Sequence, residues 1–310
     1  MKIFNKLLLV MILLLSTTVH AAEKISIFLP HAPSASIVPA MFRLAEEANK
    51  IQSDYDFFVE FRPGANQTIA LKTIDQIPND SLALIAPAYI ENHKSGAINK
   101  NNYTPIWGLG DACWAVFTNI GDTSVGIKSL SGIKELVVGG VGFGNAAHLT
   151  GIMLGEKFNF DTRYIIFKSN TDALINMVGN NGVNMALDKI EGYASFKPKN
   201  SNLQVLAVSC PSRMSVMPEV KTLREHGVNA PSVFNIVVAN KSMNDDKRAK
   251  IRSILISAAE RMGADSFMKL SGTIPPQFVS ISQDEYYTKS LAIFEALTSR
   301  YEKAIENAKK

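Results

Sequence analysis

The segment LAVSCPSRMSVMPEVKTLREHG, Leu206–Gly227, decides the fold of this chain. It continues a β-branched strand end, Val205 to Val208, which Pro211 stops because proline has no N–H to give a sheet. An arginine follows, then a turn punctuated by Pro218, then a short charged helix that closes on Gly227. Nothing in the run is arranged as a catalytic group needs to be.

Outward from it, short apolar runs alternate with amphipathic helical patterns, the signature of an α/β protein. Before the segment, strands are read at Ile25 to Leu29, Phe57 to Phe61, Leu82 to Ala86, Leu136 to Val138, Tyr164 to Phe167, Val183 to Leu187 and Leu203 to Val208. After it, Phe234 to Val238 reads as a strand. Helical spacing joins Ile37, Met41, Leu44, Ala45 and Ala48, with Ser36 as N-cap. Arg62-Pro63-Gly64-Ala65 turns into the helix of Ile69, Leu71 and Ile74. Further helices are expected at Ala146 to Lys157, Asp172 to Val178, around Ile251 to Met262, and from the capping box Ser282-x-x-Glu285. Pro105 through Trp114 to Thr118 leaves the first set of elements for a second.

At the N-terminus, Lys2 and Lys6 make a positive region, Leu7 to Leu15 an unbroken apolar run, and Val19-His20-Ala21 a small-residue cleavage site. That is a secretory signal peptide over residues 1–21, too short to cross roughly 30 Å of hydrocarbon. A soluble mature chain starting at Ala22, exported to the periplasm, is expected. The 310 residues, 46% of them hydrophobic, suffice for two domains. The net charge of +4 is scattered and falls further when the leader's two lysines are removed, so nucleic-acid binding lacks an electrostatic warrant.

The residues Leu206, Ala207, Val208, Ser209, Arg213, Pro218, Val220, Thr222, Glu225 and Gly227 together resemble one family's motif. The family is that of the Bug or TctC-like solute-binding proteins of tripartite tricarboxylate transporters. Arg62 to Ala65, Gly144 with His148 and Leu149, Phe167-Lys168, and Gly182-Val183 through Asp188 resemble its other motifs, so the likeness runs from about Ile25 to Gly227. It implies a two-lobed, type II-like periplasmic-binding-protein fold, each lobe a mixed sheet flanked by helices, joined by a hinge of crossover strands. Lobe 1 is expected over 22–112 and 222–310, and lobe 2 over 113–221. Cys113 and Cys210 fall one on each crossover, and two readings stand for them, a single disulfide or two buried thiols.

Two loop-to-helix junctions are physically suited to an anion, because a helix start leaves N–H groups unpaired and carries positive partial charge. One runs from Pro30 to Ser36, the other from Gly142 to His148. Ligand contacts are expected from His31, Ala32, Ser34 and Ser36 in the first, and from Gly144, Asn145, Ala147 and His148 in the second. Lys168, Ser169 and Asp188 complete the set. Ser36 can instead cap its helix, His148 can tie loop to helix, and Lys168 can be solvated. Arg213 reads as pairing across the lobes, and Arg62 as a turn anchor. The first loop has Ala32 and Pro33 where the resemblance has a Gly-Gly pair, and the second has Asn145 where it has Ser. The pocket is redrawn on a kept scaffold.

Gly142-x-Gly144-x-x-Ala147 also satisfies a loose dinucleotide fingerprint, but Asp161 precedes the strand Tyr164 to Phe167 instead of ending it, which disfavours a nicotinamide enzyme. His31, His93 and His226 lack metal-ligand spacing, so no metal and no cofactor are expected, and no hydrolase triad is recognisable. The expected function is capture of a small organic anion, a carboxylate, in the interlobe cleft by a monomer that delivers it to membrane permease subunits without catalysis. The alternative is a periplasmic sensor component for a signalling receptor.

Overall fold

The structure, a computed structural model, describes residues 21–120, 126–190, 193 and 196–310. The expected leader, residues 1–20 of it, lies outside the described residues.

Two mixed sheets form, each combining parallel β–α–β units with an antiparallel strand, which follows those units in the first sheet and precedes them in the second. In the first, β1 (Glu23–Leu29), α1 (Val38–Ile51), β2 (Tyr55–Phe61), α2 (Thr68–Gln76), β3 (Ser81–Ile85) and α3 (Ala88–Lys94) lead to the long strand β4 (Tyr103–Ala112). In the second, β5 (Ala115–Thr118), β6 (Glu135–Gly140), α4 (Ala146–Phe158), β7 (Asp161–Ile166), α5 (Asn170–Val178), β8 (Met185–Asp188) and β9 (Gln204–Val208) follow. The chain then returns through β10 (Val233–Asn240), α6 (Asp245–Met262), α7 (Ala264–Ser271), β11 (Thr273–Ile274), α8 (Gln283–Arg300) and α9 (Glu302–Ala308).

The strand orders are β11-β4-β10-β3-β1-β2 and β7-β6-β8-β5-β9. β1 runs parallel to β2 and β3, and β6 parallel to β7 and β8. The strand that has just crossed from the other sheet is antiparallel in each case: β5 beside β8, and β10 beside β3. This exchange requires two crossovers, one at Cys113-Trp114 and one between Val208 and Val233. Central strands are covered on both faces by helices and so read as continuous apolar runs. All five residues of β3 are buried, as are the last five of β1. Helix α1 lays Met41, Leu44, Ala45 and Ala48 against this sheet. Phe117, Leu174, Met177, Val183 and Leu203 belong to the second sheet's own core. The architecture is the expected two-lobed α/β fold.

Several local expectations are corrected. Ile37, not Ser36, is the N-cap of α1, without a side-chain cap; Pro39 stands in the first turn. The charged helix before Gly227 is a single 3-10 turn, Arg224–His226, though Gly227 does close it at φ +71°. Asp161 is the first residue of β7 and lies inside the strand.

Candidate functional site

The lobes are closed on each other, and the first loop supplies much of the latch. The Ala32 N–H donates to the Lys168 carbonyl at 3.0 Å. Ser34 Oγ lies 3.0 Å from Ser169 Oγ and donates to Asp172 Oδ1 at 2.8 Å. Ser36 lies beside the buried Asp188 carboxylate, which accepts from Thr171 Oγ1 at 2.6 Å and from the Lys189 N–H at 2.9 Å. On the same seam, a Cβ on Gly142 would lie 1.9 Å from Asn66 Oδ1, and one on Gly144 2.4 Å from Glu91 Cγ. Gly144 also has φ +69°. The glycines of the loose dinucleotide fingerprint therefore serve close approach of the lobes.

Behind the latch lies a narrow cavity of about 20 Å³, room for about one water molecule with the lobes in this position. His31, Ser36 and Asn235 line it from one lobe, Asn145, Ala147 and Asn170 from the other, and Trp114 from the crossover between them. Two helices of the second lobe point their starts at it. Asn145 caps α4 by accepting from the His148 N–H at 2.9 Å, and Ser169 caps α5 by accepting from the Asp172 N–H at 2.9 Å. These caps leave the N–H groups of Ala146, Ala147, Asn170 and Thr171 without an acceptor among the described residues.

Three further polar atoms on the lining are buried without a partner: Trp114 Nε1, Asn170 Oδ1 and Asn235 Nδ2. Their residues are 4%, 8% and 1% exposed. Buried polar groups are almost always paired, so three orphans around one cavity mark a place meant to be filled by a hydrogen-bonding occupant. No lysine, arginine or carboxylate lines the cavity. Burial pushes the pKa of His31 down to about 4, so a neutral imidazole faces it at pH 7.

Of the sequence-predicted contacts, His31, Ser36, Asn145 and Ala147 are brought together on this cavity. Ala32, Ser34, Ser169 and Asp188 hold the latch instead. The Lys168 side chain is exposed at a neighbouring opening lined by Gln67 and Asp172. His148 ties loop to helix: its Nδ1 accepts from the Gly144 N–H at 3.1 Å, and its ring stacks on Tyr164 at 4.3 Å. Burial, with the Lys309 charge behind it, pushes its pKa to about 4. Tyr164 Oη in turn donates to Asn145 Oδ1 at 3.0 Å, fixing the cap. Trp114, Asn170 and Asn235 were not expected. Asn235 carried a signal, a lone amide inside the apolar run VFNIVVA. Trp114 and Asn170 carried none beyond their neighbourhood.

Arg213, just before the expected lobe boundary at 221–222, pairs with a residue just after it. It forks onto Glu225 within its own segment, with Nε 3.0 Å from each carboxylate oxygen, and donates to the Pro218 carbonyl at 3.1 Å. Cys113 and Cys210, one on each crossover, form a disulfide with Cα atoms 4.7 Å apart. Among the described residues no group of three or more His, Cys, Asp or Glu could hold a metal ion, and no helix is long and apolar enough to cross a membrane.

The fold is the two-lobed one of periplasmic binding proteins, and solved structures share it. MatC of Rhodopseudomonas palustris with bound malate matches at TM-score 0.70 and 17% identity, over 88% of this chain and 98% of that one. The periplasmic binding protein BugD matches at TM-score 0.70 and 18% identity, over 91% and 97%. Rpa4515 of R. palustris, solved with adipate, matches at TM-score 0.73 and 15% identity, over 92% and 97%. No protein-family model and no curated sequence matches the chain.

Proposed function

We propose that this protein is a periplasmic solute-binding protein of the Bug or TctC-like kind, which captures a small organic anion between its lobes and delivers it to a membrane transporter. The observation that carries the reading is the narrow interlobe cavity, with unpartnered helix-start N–H groups and unpartnered buried side-chain atoms around it. Helix starts favour negative charge, and closure removes the water that would screen it. Likeness to structures holding malate and adipate supports a carboxylate as the anion. The lobes are then residues 22–112 with 222–310, and 113–221, moving about the two crossovers. Ligand is held and released unchanged.

Thermal shift against a panel of carboxylic acids tests this. A ligand of the closed state raises the melting temperature in proportion to the logarithm of its concentration. The reading predicts such a rise with at least one acid, and uptake of that acid should fall when the protein is deleted from its host. A shift by neutral or cationic solutes only would overturn it.

A further inference from the structure

A second cavity, of about 360 Å³, lies between helix α8 and the return crossover and shares no lining residue with the cavity of the cleft. A strand turns successive side chains to opposite faces, and β10 uses both. Val233 and Asn235 look into the cleft, whereas Phe234 between them looks into this second cavity. Asp111 of β4 is the register partner of Phe234 and so stands beside it on the same face. From α8, Tyr286, Ser290 and Ile293 stand at helical spacing on the opposing wall. The volume is that of a small-molecule pocket.

Its chemistry is that of an apolar chamber around one uncompensated carboxylate. Phe234 and Phe294 meet edge to face at 5.2 Å, with Ile281 and Ile293 also on the lining. Asp111 Oδ1 accepts from Tyr286 Oη at 2.9 Å, while Oδ2 has no partner among the described residues. Lys289, also on the lining, is held by Glu285 at 2.6 Å and does not pair with it. The Asp111 side chain is open to solvent, yet the protein gathered around it pushes its carboxyl above the ordinary carboxylate range. A carboxylate so placed is best satisfied by a cation that brings its own N–H groups.

We propose that this cavity is a second ligand site, for a small primary amine with an apolar body, its ammonium on Asp111 Oδ2 and its body against Phe234, Phe294, Ile281 and Ile293. The Arg224 guanidinium, on the same lining, has no acceptor among the described residues and admits a carboxylate on the same ligand, so apolar amino acids belong to the class. A ligand seated there touches both α8 and the crossover that joins the lobes, away from the cleft.

Calorimetric titration of the purified protein tests this with two matched sets: 3-methylbutylamine, leucine and 3-methylbutanol, then 2-phenylethylamine, phenylalanine and 2-phenylethanol. In at least one set the amine or the amino acid should bind about tenfold more tightly than the alcohol, or better. Asp111→Asn, whose amide oxygen can still accept from Tyr286, should lose that preference. Ile293→Lys, at a position 52% exposed, should weaken the same ligand by a like factor. A cooperative melting transition in each free variant shows that it folds. Arg224→Gln separates the two sources, weakening an amino acid and leaving an amine unchanged; an amino acid that binds this variant as well as the wild type overturns the part given to Arg224. No preference over the alcohol in either set, or binding unchanged in both Asp111→Asn and Ile293→Lys, overturns the inference and leaves the reading of the cleft standing.

Discussion

Arg213 and Glu225, both residues of the Leu206–Gly227 motif, hold each other with two guanidinium nitrogens at 2.5–3.0 Å from the carboxylate. Glu225 also accepts from the Thr222 N–H at 2.9 Å, while Thr222 Oγ1 accepts from the Glu225 N–H at 3.1 Å, a capping box. The Leu223 N–H then donates to the Val208 carbonyl at 2.9 Å, so the segment folds back onto the strand it left. The motif is a self-contained knot on the return crossover. Arg213→Ala should therefore leave ligand affinity within twofold and hasten proteolytic cutting within residues 209–227. Arginine and the backbone N–H hold the Glu225 pKa down to about 2, so its contribution is full above the ordinary carboxylate range and is lost as pH falls toward 2. A large loss of affinity would mean that the knot reaches the ligand.

The disulfide between Cys113 and Cys210 closes a loop spanning 97 positions and pins the two crossovers together. Chain-entropy arguments give about 4–5 kcal/mol for a loop of that size. Replacing both cysteines by serine should lower unfolding free energy by roughly that order, measured in urea, with ligand affinity little changed. Undiminished stability would show that the surrounding hydrogen bonds already fix the hinge.

Gly142 offers a direct test of closure. With a Cβ 1.9 Å from Asn66 Oδ1, Gly142→Ala should hold the lobes apart, increase the radius of gyration in ligand, and weaken binding at least tenfold. Asn66 sits at φ +51°, where glycine is at ease, so adding Asn66→Gly should restore closure. If the double variant binds no better than the single, the contact does not limit closing.

His31 and His148 make stability depend on acid. Both are held neutral by burial, with pKa values near 4 against 6.5 when exposed. The unfolded chain takes up their protons first, so stability is full above pH 6.5 and falls as pH drops toward 4, by about 3 kcal/mol for each. His31→Gln should flatten that slope between pH 6.5 and 4.5 by about one proton's worth. An identical slope in the variant would show that His31 is solvated in the fold.

Most of the scaffold was legible because its signals are local. Apolar runs, helical spacing and one capping box located eight strands and six helices within a few residues, and Ser282 sits at the cap its spacing suggests. The short α3 and the final α9 escaped because a seven-residue helix holds too few turns to show a period. Ser36 looked like a cap, yet the helix starts one residue later, at Ile37, and Ser36 lines the cavity instead. The site was half legible for a similar reason. Helix starts announce themselves in sequence, whereas Trp114 and Asn235 reach the cavity only because two crossovers bring distant strands together. Arg213 finds its partner twelve residues on, a pairing that no local period announces.

The place of β10 between β3 and β4 sets an order of assembly. Until residues 233–240 are available to pair, β4 has no neighbour and β3 has a bare edge, while everything needed for the second sheet lies earlier in the chain. The inserted unit can therefore mature first, and the older half of the chain must wait with exposed edges, a state prone to wrong pairing. Asn235 lies on that late strand, so a product truncated before it would lack both the strand and one wall of the cavity. A cell would then carry no half-made chain able to sequester the solute.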